Sequence, residues 1–449
     1  YLYGELDTDE RDIVGAFDNE GVCHGFANIS HNTKTGETGL YLTVYVSQAN
    51  GSPLSFRLWQ YSTGREIVLT TTPAITFAKD AILGTDMPVR FDGSEAFIQN
   101  FKLQAGWNWV SFNINSSQLS DVNSLLSSMR WNDGDILTEL GSDLTMTYEE
   151  DKKMWVASGS TKGVVISPKM SYAIKVKQDC TLSISGTAVK EQDDRTITLS
   201  KGWNAIGYTP MTNLTVETAL SDYYDQAEQG DVIKSHTEFA YFTKSGNTGR
   251  WRGSLQYMKP GEGYMMLRKG ADKASFTYPY YDMSSNFRED WNTSITRAAA
   301  PVMSPSTMSV SATVKGFDVE DGDVLIAYSN GDAVGMATVL SGSLADGQSV
   351  AMQSAAESQE PLYLSIAGDA KQGIWFAIER DGEIVAATGE MMTFQANAVV
   401  GSPDQPTAIN FVKADYEDGK WYTISGLPLQ KKPVLRGIYI FNGKKVVIK

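Results

Sequence analysis

The sequence predicts a mainly β, multidomain chain: two immunoglobulin-like β-sandwich modules flanking two tandem α+β repeat modules, closed by a C-terminal β-hairpin tail. Three observations carry that expectation. A Gly-Trp-Asn turn occurs twice, at Gly106-Trp107-Asn108 and Gly202-Trp203-Asn204, and its surroundings recur with it. A second pair of similar segments encloses the first pair. Short alternating runs are punctuated by turn residues throughout, with 40 Gly and 11% aromatics, which suits strands joined by turns better than long helices.

A chain of 449 residues exceeds what one hydrophobic core usually organises. The expected divisions are residues 1–98 for the first outer module and 99–192 and 193–282 for the two middle repeats. A linker follows over 283–306, then the second outer module over 307–414 and the tail over 415–449.

In the first outer module, Asp12-Ile13-Val14-Gly15-Ala16-Phe17 matches Asp323-Val324-Leu325-Ile326-Ala327-Tyr328 of the second, and Gly25-Phe26-Ala27 matches Gly335-Met336-Ala337. Tyr41-Leu42-Thr43-Val44 answers Tyr363-Leu364-Ser365-Ile366, and Thr76-Phe77 through Gly84 answers Thr393-Phe394 through Gly401. Side chains alternate as in strands, and Asn50-Gly51, Thr63-Gly64, Asn330-Gly331 and Asp381-Gly382 supply the turns. Residues 308–311 find no counterpart after Tyr1, and Tyr1 opens the chain with neither Met nor a leader pattern, so a processed or truncated start is expected. One acidic pattern is common to both copies: Asp7, Glu10 and Asp12 align with Asp318, Asp321 and Asp323. Such loop carboxylates suit Ca²⁺, which accepts irregular oxygen cages; the competing reading is ordinary acidity where a turn precedes a strand, since neither loop has the spacing of an EF-hand.

In the middle repeats, an offset of 96 residues brings Leu103 onto Leu199, Gly134-Asp135-Ile136 onto Gly230-Asp231-Val232 and Trp155 onto Trp251. Each copy reads as a strand, a turn, a short helix and further strands. Leu119, Val122, Leu125, Leu126 and Met129 mark the first helix, with Ser120 or Asp121 as its cap; Val216, Leu220 and Tyr223 mark the second, after Thr215. Tryptophans offer flat apolar faces to sugar rings, but one kept in both copies reads as a core residue. Trp109 faces Ala205 in the other copy and stands out. With Trp59 and Trp155 it makes the candidate ligand-binding set.

The final segment alternates through Gly437-Ile438-Tyr439-Ile440, turns at Asn442-Gly443-Lys444-Lys445 and ends Val446-Val447-Ile448-Lys449, preceded by a Tyr422 to Gly426 element. On these residues the tail resembles the end of the C-terminal sorting domains of Bacteroidetes surface and secreted proteins, recognised by the type IX secretion system. The outer modules and the Gly-Trp-Asn repeats also look like modules of large surface proteins of those bacteria. The resemblance implies export, an extracellular or outer-surface location and a noncatalytic accessory role, with the secretion machinery as a partner of the tail.

The formal net charge of −15 disfavours a nucleic-acid partner, and no apolar run is long enough for a transmembrane helix. Cys23 and Cys180 make no disulfide framework and leave the redox compartment open. With only His24, His31 and His236, and no zinc or nucleophile-elbow spacing, no catalytic constellation emerges. The expected role is adhesion, binding or scaffolding toward a host or bacterial surface protein or glycan. The rival reading is glycan capture or degradation through exposed Trp side chains.

Overall fold

The computed structural model describes residues 2–3, 9–18, 21–32, 37–45, 50–62, 65–71, 73–85, 89–157, 166–246, 248–280, 304–339, 361–413, 419–423, 428–435, 437–441 and 444–448. Strand makes up 49% of the structure and helix 7%, so the chain is mainly β. Asp7 and the Asn442-Gly443 turn lie outside the described residues, as does most of the expected linker.

The two middle repeats share one topology. The first orders its antiparallel strands Gly106–Val110, Tyr172–Val176, Ile136–Glu139, Thr145–Glu149 and Met154–Ala157; the second orders Gly202–Ile206, Tyr264–Arg268, Val232–Lys234, Phe239–Ser245 and Thr248–Gly253. Gly106 and Gly202 sit at φ 95° and 96°, where a Cβ is strained. Asn108 closes its turn by donating from Nδ2 to the carbonyls of Gln104 (2.8 Å) and Gly106 (3.1 Å) and accepting from the Gln104 amide. Asn204 makes the same set with Ser200 and Gly202. The motif is therefore a turn in which glycine supplies the geometry and asparagine the hydrogen bonds.

The expected helices are single turns. Val122–Leu125 is capped by the Asp121 carboxylate, which accepts from the Asn123 and Ser124 amides, and Val216–Ala219 is capped by Thr215. Flanking 3₁₀ turns, Ser117–Ser120, Leu126–Ser128 and Ser221–Gln226, carry the rest of the apolar stripes onto the cores. Asp121 lies inside the stripe and starts a new turn there, so the periodicity continues without a longer helix.

A buried aspartate recurs at the entry to a strand in every copy. Asp12, Asp135, Asp231 and Asp323 are all buried. Each accepts through Oδ2 from the amide three residues earlier: Asp9 (3.0 Å), Asn132 (2.8 Å), Glu228 (2.9 Å) and Glu320 (2.8 Å). Each returns its own amide to that residue's carbonyl. The other oxygen ties the turn to a distant strand, through the amide of Tyr61, Lys177 or Lys269, or through Arg380. Three of the turns place Gly134, Gly230 or Gly322 at positive φ just before the aspartate; Arg11 holds that place in the first.

In the outer modules, Cys23–Asn28, Ile13–Phe17, Ser55–Gln60 and Arg65–Thr71 pair in the same order as Asp332–Thr338, Val324–Ser329, Gly373–Arg380 and Glu383–Ala387. Both copies shift register at the same point of their first strand pair, between Ala16 and Phe17 and between Ala327 and Tyr328. The second copy is sandwich-like: Leu362–Ala367, Thr307–Lys315, Val399–Val400 and Thr407–Asn410 form the facing sheet over a core of Val310, Leu325, Leu364, Phe376 and their neighbours. In the first copy the sheet continues instead into the long strand Phe91–Leu103, which pairs with Arg65–Thr71 along one part and Cys180–Ala188 along another. One strand thus runs through residue 98 and joins outer module to middle repeat.

The tail strands Gly437–Phe441 and Lys444–Ile448 pair as a hairpin, with Trp421–Thr423 alongside. Tyr422 and Ile440 pack with Ile326, Tyr328, Ala377 and Ile384, covering one face of the second outer module.

The aspartate staple gives a direct test. Asp231 accepts from Tyr223 Oη (2.7 Å) and the amides of Glu228 and Lys269 (2.7 Å for the latter). Asp231→Ala strands these donors in a buried site and should cost about 2–4 kcal/mol. Urea unfolding measures it, and an unchanged midpoint would contradict the role given to the carboxylate.

Candidate functional site: an aromatic clasp and an open groove

The predicted site residues fall in separate places. Trp155 lies in the core of the first middle repeat, against Trp131 (ring centroids 4.9 Å) and Tyr148 (5.7 Å), as its counterpart Trp251 lies against Phe242 (5.1 Å). Trp109 is 2% exposed. One face stacks on His236 at 5.1 Å and an interplanar angle of 5°, and its Nε1 donates to the Pro305 carbonyl at 3.0 Å. Neither ring is open to a sugar in this arrangement.

Trp109 belongs to a clasp that grips the chain as it enters the second outer module. His236 Nε2 is 3.1 Å from the Ser304 carbonyl, Trp109 holds that of Pro305, and Lys234 Nζ donates to the carbonyl of Thr307 at 3.1 Å. Lys234 also reaches Thr307 Oγ1 and Asn397 Oδ1, both at 2.9 Å. Its ammonium lies 4.5 Å from the Trp203 ring and 5.6 Å from that of Trp109, so two π faces and three oxygens surround one cation. Trp203 Nε1 donates to the Asn397 carbonyl at 3.0 Å. Around the clasp, Phe239 packs edge-on against Tyr363, Ser365 Oγ donates to the His236 carbonyl, and Arg252 pairs with Asp404 at 2.7 Å.

Trp59 has a different setting. It is partly exposed, edge-on to Tyr61, and lines a groove of about 270 Å³ with Ile13, Phe17, Phe26, Arg57 and Glu66. Arg57 lies over the Phe17 ring at 4.1 Å and meets Glu66 at 3.4 Å, giving the groove an apolar floor with a charged pair. Nearby, His24 joins Asp18 at 2.8 Å and the Tyr45 carbonyl at 3.0 Å. The Asp18 hydrogen bond raises the His24 pKa above its usual value.

Among the described residues the calcium candidates do not converge on a cage. Both oxygens of Asp323 are engaged by Arg380, at 2.8 Å each, and Asp12 is engaged by the amides of Asp9 and Tyr61. Burial pushes Asp323 up, but its hydrogen bonds from Arg380 and the Glu320 amide outweigh this and hold it below the usual carboxylate range. Glu10, Asp318 and Asp321 add no shared centre: among the described residues no group of three His, Cys, Asp or Glu is placed to hold a metal ion. Acidity before a strand is here the mark of a turn staple.

The sequence reading missed Lys234, His236 and Asn397. A signal existed: at the offset of 96, Lys234 meets Thr138 and His236 meets Leu140, as Trp109 meets Ala205. All three positions differ in chemistry between copies, and all three meet in the clasp. Asn397 sits at φ 61°, matching Asp80 at φ 58° in the first outer module.

Burial pushes the Lys234 ammonium down to about 7 from 10.5. Between these values the unfolded chain binds more protons than the folded one, so stability rises with pH from about 7 to 10.5. Glu238 acts oppositely: burial, reinforced by the charge of Glu262, lifts it to about 7 from 4.5, so stability falls as pH rises through that window. Melting temperature across pH should therefore pass through a minimum near neutrality, and Lys234→Met should remove the alkaline rise. An unaltered alkaline limb in the variant would contradict the assignment.

No family model, curated protein or solved structure matches this chain, so the site rests on its own geometry.

Proposed function

We propose that this chain is a noncatalytic secreted or surface-displayed protein of a Bacteroidetes-like bacterium, acting in adhesion, binding or scaffolding. Its outer modules are read as immunoglobulin-like domains and its tail as the element handled by a type IX secretion machinery. The observation that carries this reading is the clasp: His236, Trp109 and Lys234 are all engaged at backbone carbonyls, those of Ser304, Pro305 and Thr307, where the chain enters the second outer module. Residues of the types that usually serve ligands or chemistry here fix one module against the next, as a scaffold requires. The sequence resemblance of the tail supports export. Among the described residues no helix is long and apolar enough to cross a membrane.

Export is tested in a bacterium that carries this secretion system. The chain should reach the surface or medium, a version lacking residues 415–449 should remain in the periplasm, and an unrelated periplasmic reporter given those residues should be released. A reporter that stays in place despite the added tail, together with export of the shortened chain, would sink the reading.

Glycan binding stands as a second reading because Trp59 keeps a partly exposed ring in a groove with Phe26 and Arg57. A glycan array with the native chain and Trp59→Ala separates the two: sugar binding lost in the variant supports capture at this groove, and an array without signal rejects it.

A further inference from the structure

A β-bulge in the first outer module carries a histidine whose two ring nitrogens both face acceptors. Where Ile13–Phe17 pairs with Cys23–Asn28, Ala16 sits opposite Gly25 and Phe17 opposite Cys23, so His24 is the extra residue. A bulge re-aims the side chain it adds. Here Nε2 lies 2.8 Å from Asp18 Oδ2, just past the end of the neighbouring strand, and Nδ1 lies 3.0 Å from the Tyr45 carbonyl oxygen. The other oxygen of Asp18 accepts from the Val22 amide at 2.9 Å.

A neutral imidazole has one N–H and one lone pair, so either tautomer serves one of these partners and turns its lone pair on the other. The imidazolium donates to both. The hydrogen bond to Asp18 is the largest influence on His24; it outweighs desolvation, and the Tyr45 carbonyl and the Asp18 charge act with it to favour the protonated ring. The side chains are 4% exposed for Asp18 and 16% for His24. Other ionisable groups nearby are otherwise engaged or turned outward. Cys23, on the same strand, donates from Sγ to the Gly25 carbonyl; the Tyr45 ring is exposed; and Arg57, from Ser55–Gln60, lies over the Phe17 ring and pairs with Glu66.

The bridge holds down residues 40–45. The Tyr45 amide donates to the His24 carbonyl at 2.8 Å, and the Thr43 carbonyl approaches Gly25 so closely that a Cβ there would lie 2.1 Å from it. Leu40, Leu42 and Val44 thereby pack on the core of Val14, Ala16, Phe56 and Leu58. In the second outer module the same bulge carries Val334, which packs on that module's core, while Ser329 stands in the place of Asp18 and Ala367 in that of Tyr45. One copy therefore has a titratable bridge where the other has an apolar contact.

We propose that His24 is a pH-operated latch on residues 40–45: the imidazolium ties Asp18 to the Tyr45 carbonyl and holds the segment against the module, and the neutral ring releases one of the two, freeing Leu42 and Val44 from the core. Because the fold favours the protonated ring, the latch contributes fully below the ordinary value of 6.5 and is lost as pH rises through the higher value His24 has in the fold. The module closes on the acid side and opens on the alkaline side.

The test uses the full chain with labelled histidines, read by nuclear magnetic resonance, together with hydrogen exchange corrected for the intrinsic effect of pH. Amides of residues 41–45 should be about tenfold better protected at about pH 5.5 than at about pH 8.5, the effect of losing one charge-assisted hydrogen bond. Residues 362–367, beside the Val334 bulge, should show no such change. His24→Val should abolish the pH dependence at residues 41–45, and Asp18→Asn should move the His24 titration back toward its ordinary value. Equal protection at the two pH values, a parallel change at residues 362–367, pH dependence that survives His24→Val, or a His24 titration unmoved by Asp18→Asn would each overturn the proposal.

Discussion

The constraint on which the rest of the structure depends is a buried carboxylate that needs hydrogen-bond donors. An aspartate taken out of water without partners is costly, and Asp12, Asp135, Asp231 and Asp323 meet the requirement identically, with the amide three residues back on Oδ2 and a distant strand or arginine on the other oxygen. The turn and the sheet are thereby fixed together. Where the distant donor is a backbone amide, as at Lys177 and Lys269, the carboxylate also fixes where the strand at Tyr172–Val176 or Tyr264–Arg268 ends. Middle and outer modules differ in topology, yet each uses this device at the entry to a strand.

Against that shared framework, individuality comes from positions where the copies differ. Trp109, Lys234 and His236 occupy sites that hold Ala205, Thr138 and Leu140 in the other middle repeat. A duplicated module that kept both copies alike would present two equivalent faces; these substitutions let the pair grip Ser304, Pro305 and Thr307 at one place only. Burying an ammonium is unfavourable unless its protons are met, and Thr307 and Asn397 meet those of Lys234 with two tryptophan rings beside them. Such a contact favours one docked geometry over looser alternatives, because any slippage leaves a buried cation without partners.

Much of the architecture was legible from repetition. The Gly-Trp-Asn offset identified strands that fall in the same sheet order in both repeats, and the outer alignment identified pairs that share even their register break. The helices were harder, because a 3.6-residue stripe does not reveal that Asp121 restarts the turn within it. The Phe91–Leu103 strand crosses a point where the two repeat patterns meet, and periodicity does not record whether a strand stops or continues there. Of the candidate site, Trp109 was singled out for being unshared, but its partners lie far along the chain at residues 236 and 305, and long-range pairing leaves no local pattern. In the paired acidic loops, Asp12 and Asp323 serve as hydrogen-bond acceptors within a turn.

The central claim, that the four aspartate staples are the points on which the modules close, is tested most directly by native-state hydrogen exchange at the amides of Asp9, Asn132, Glu228 and Glu320. The account predicts that these amides exchange only when their module unfolds, as slowly as the amides of the adjoining core strands. Exchange at the rate of open loops, with the core strands still protected, would contradict it.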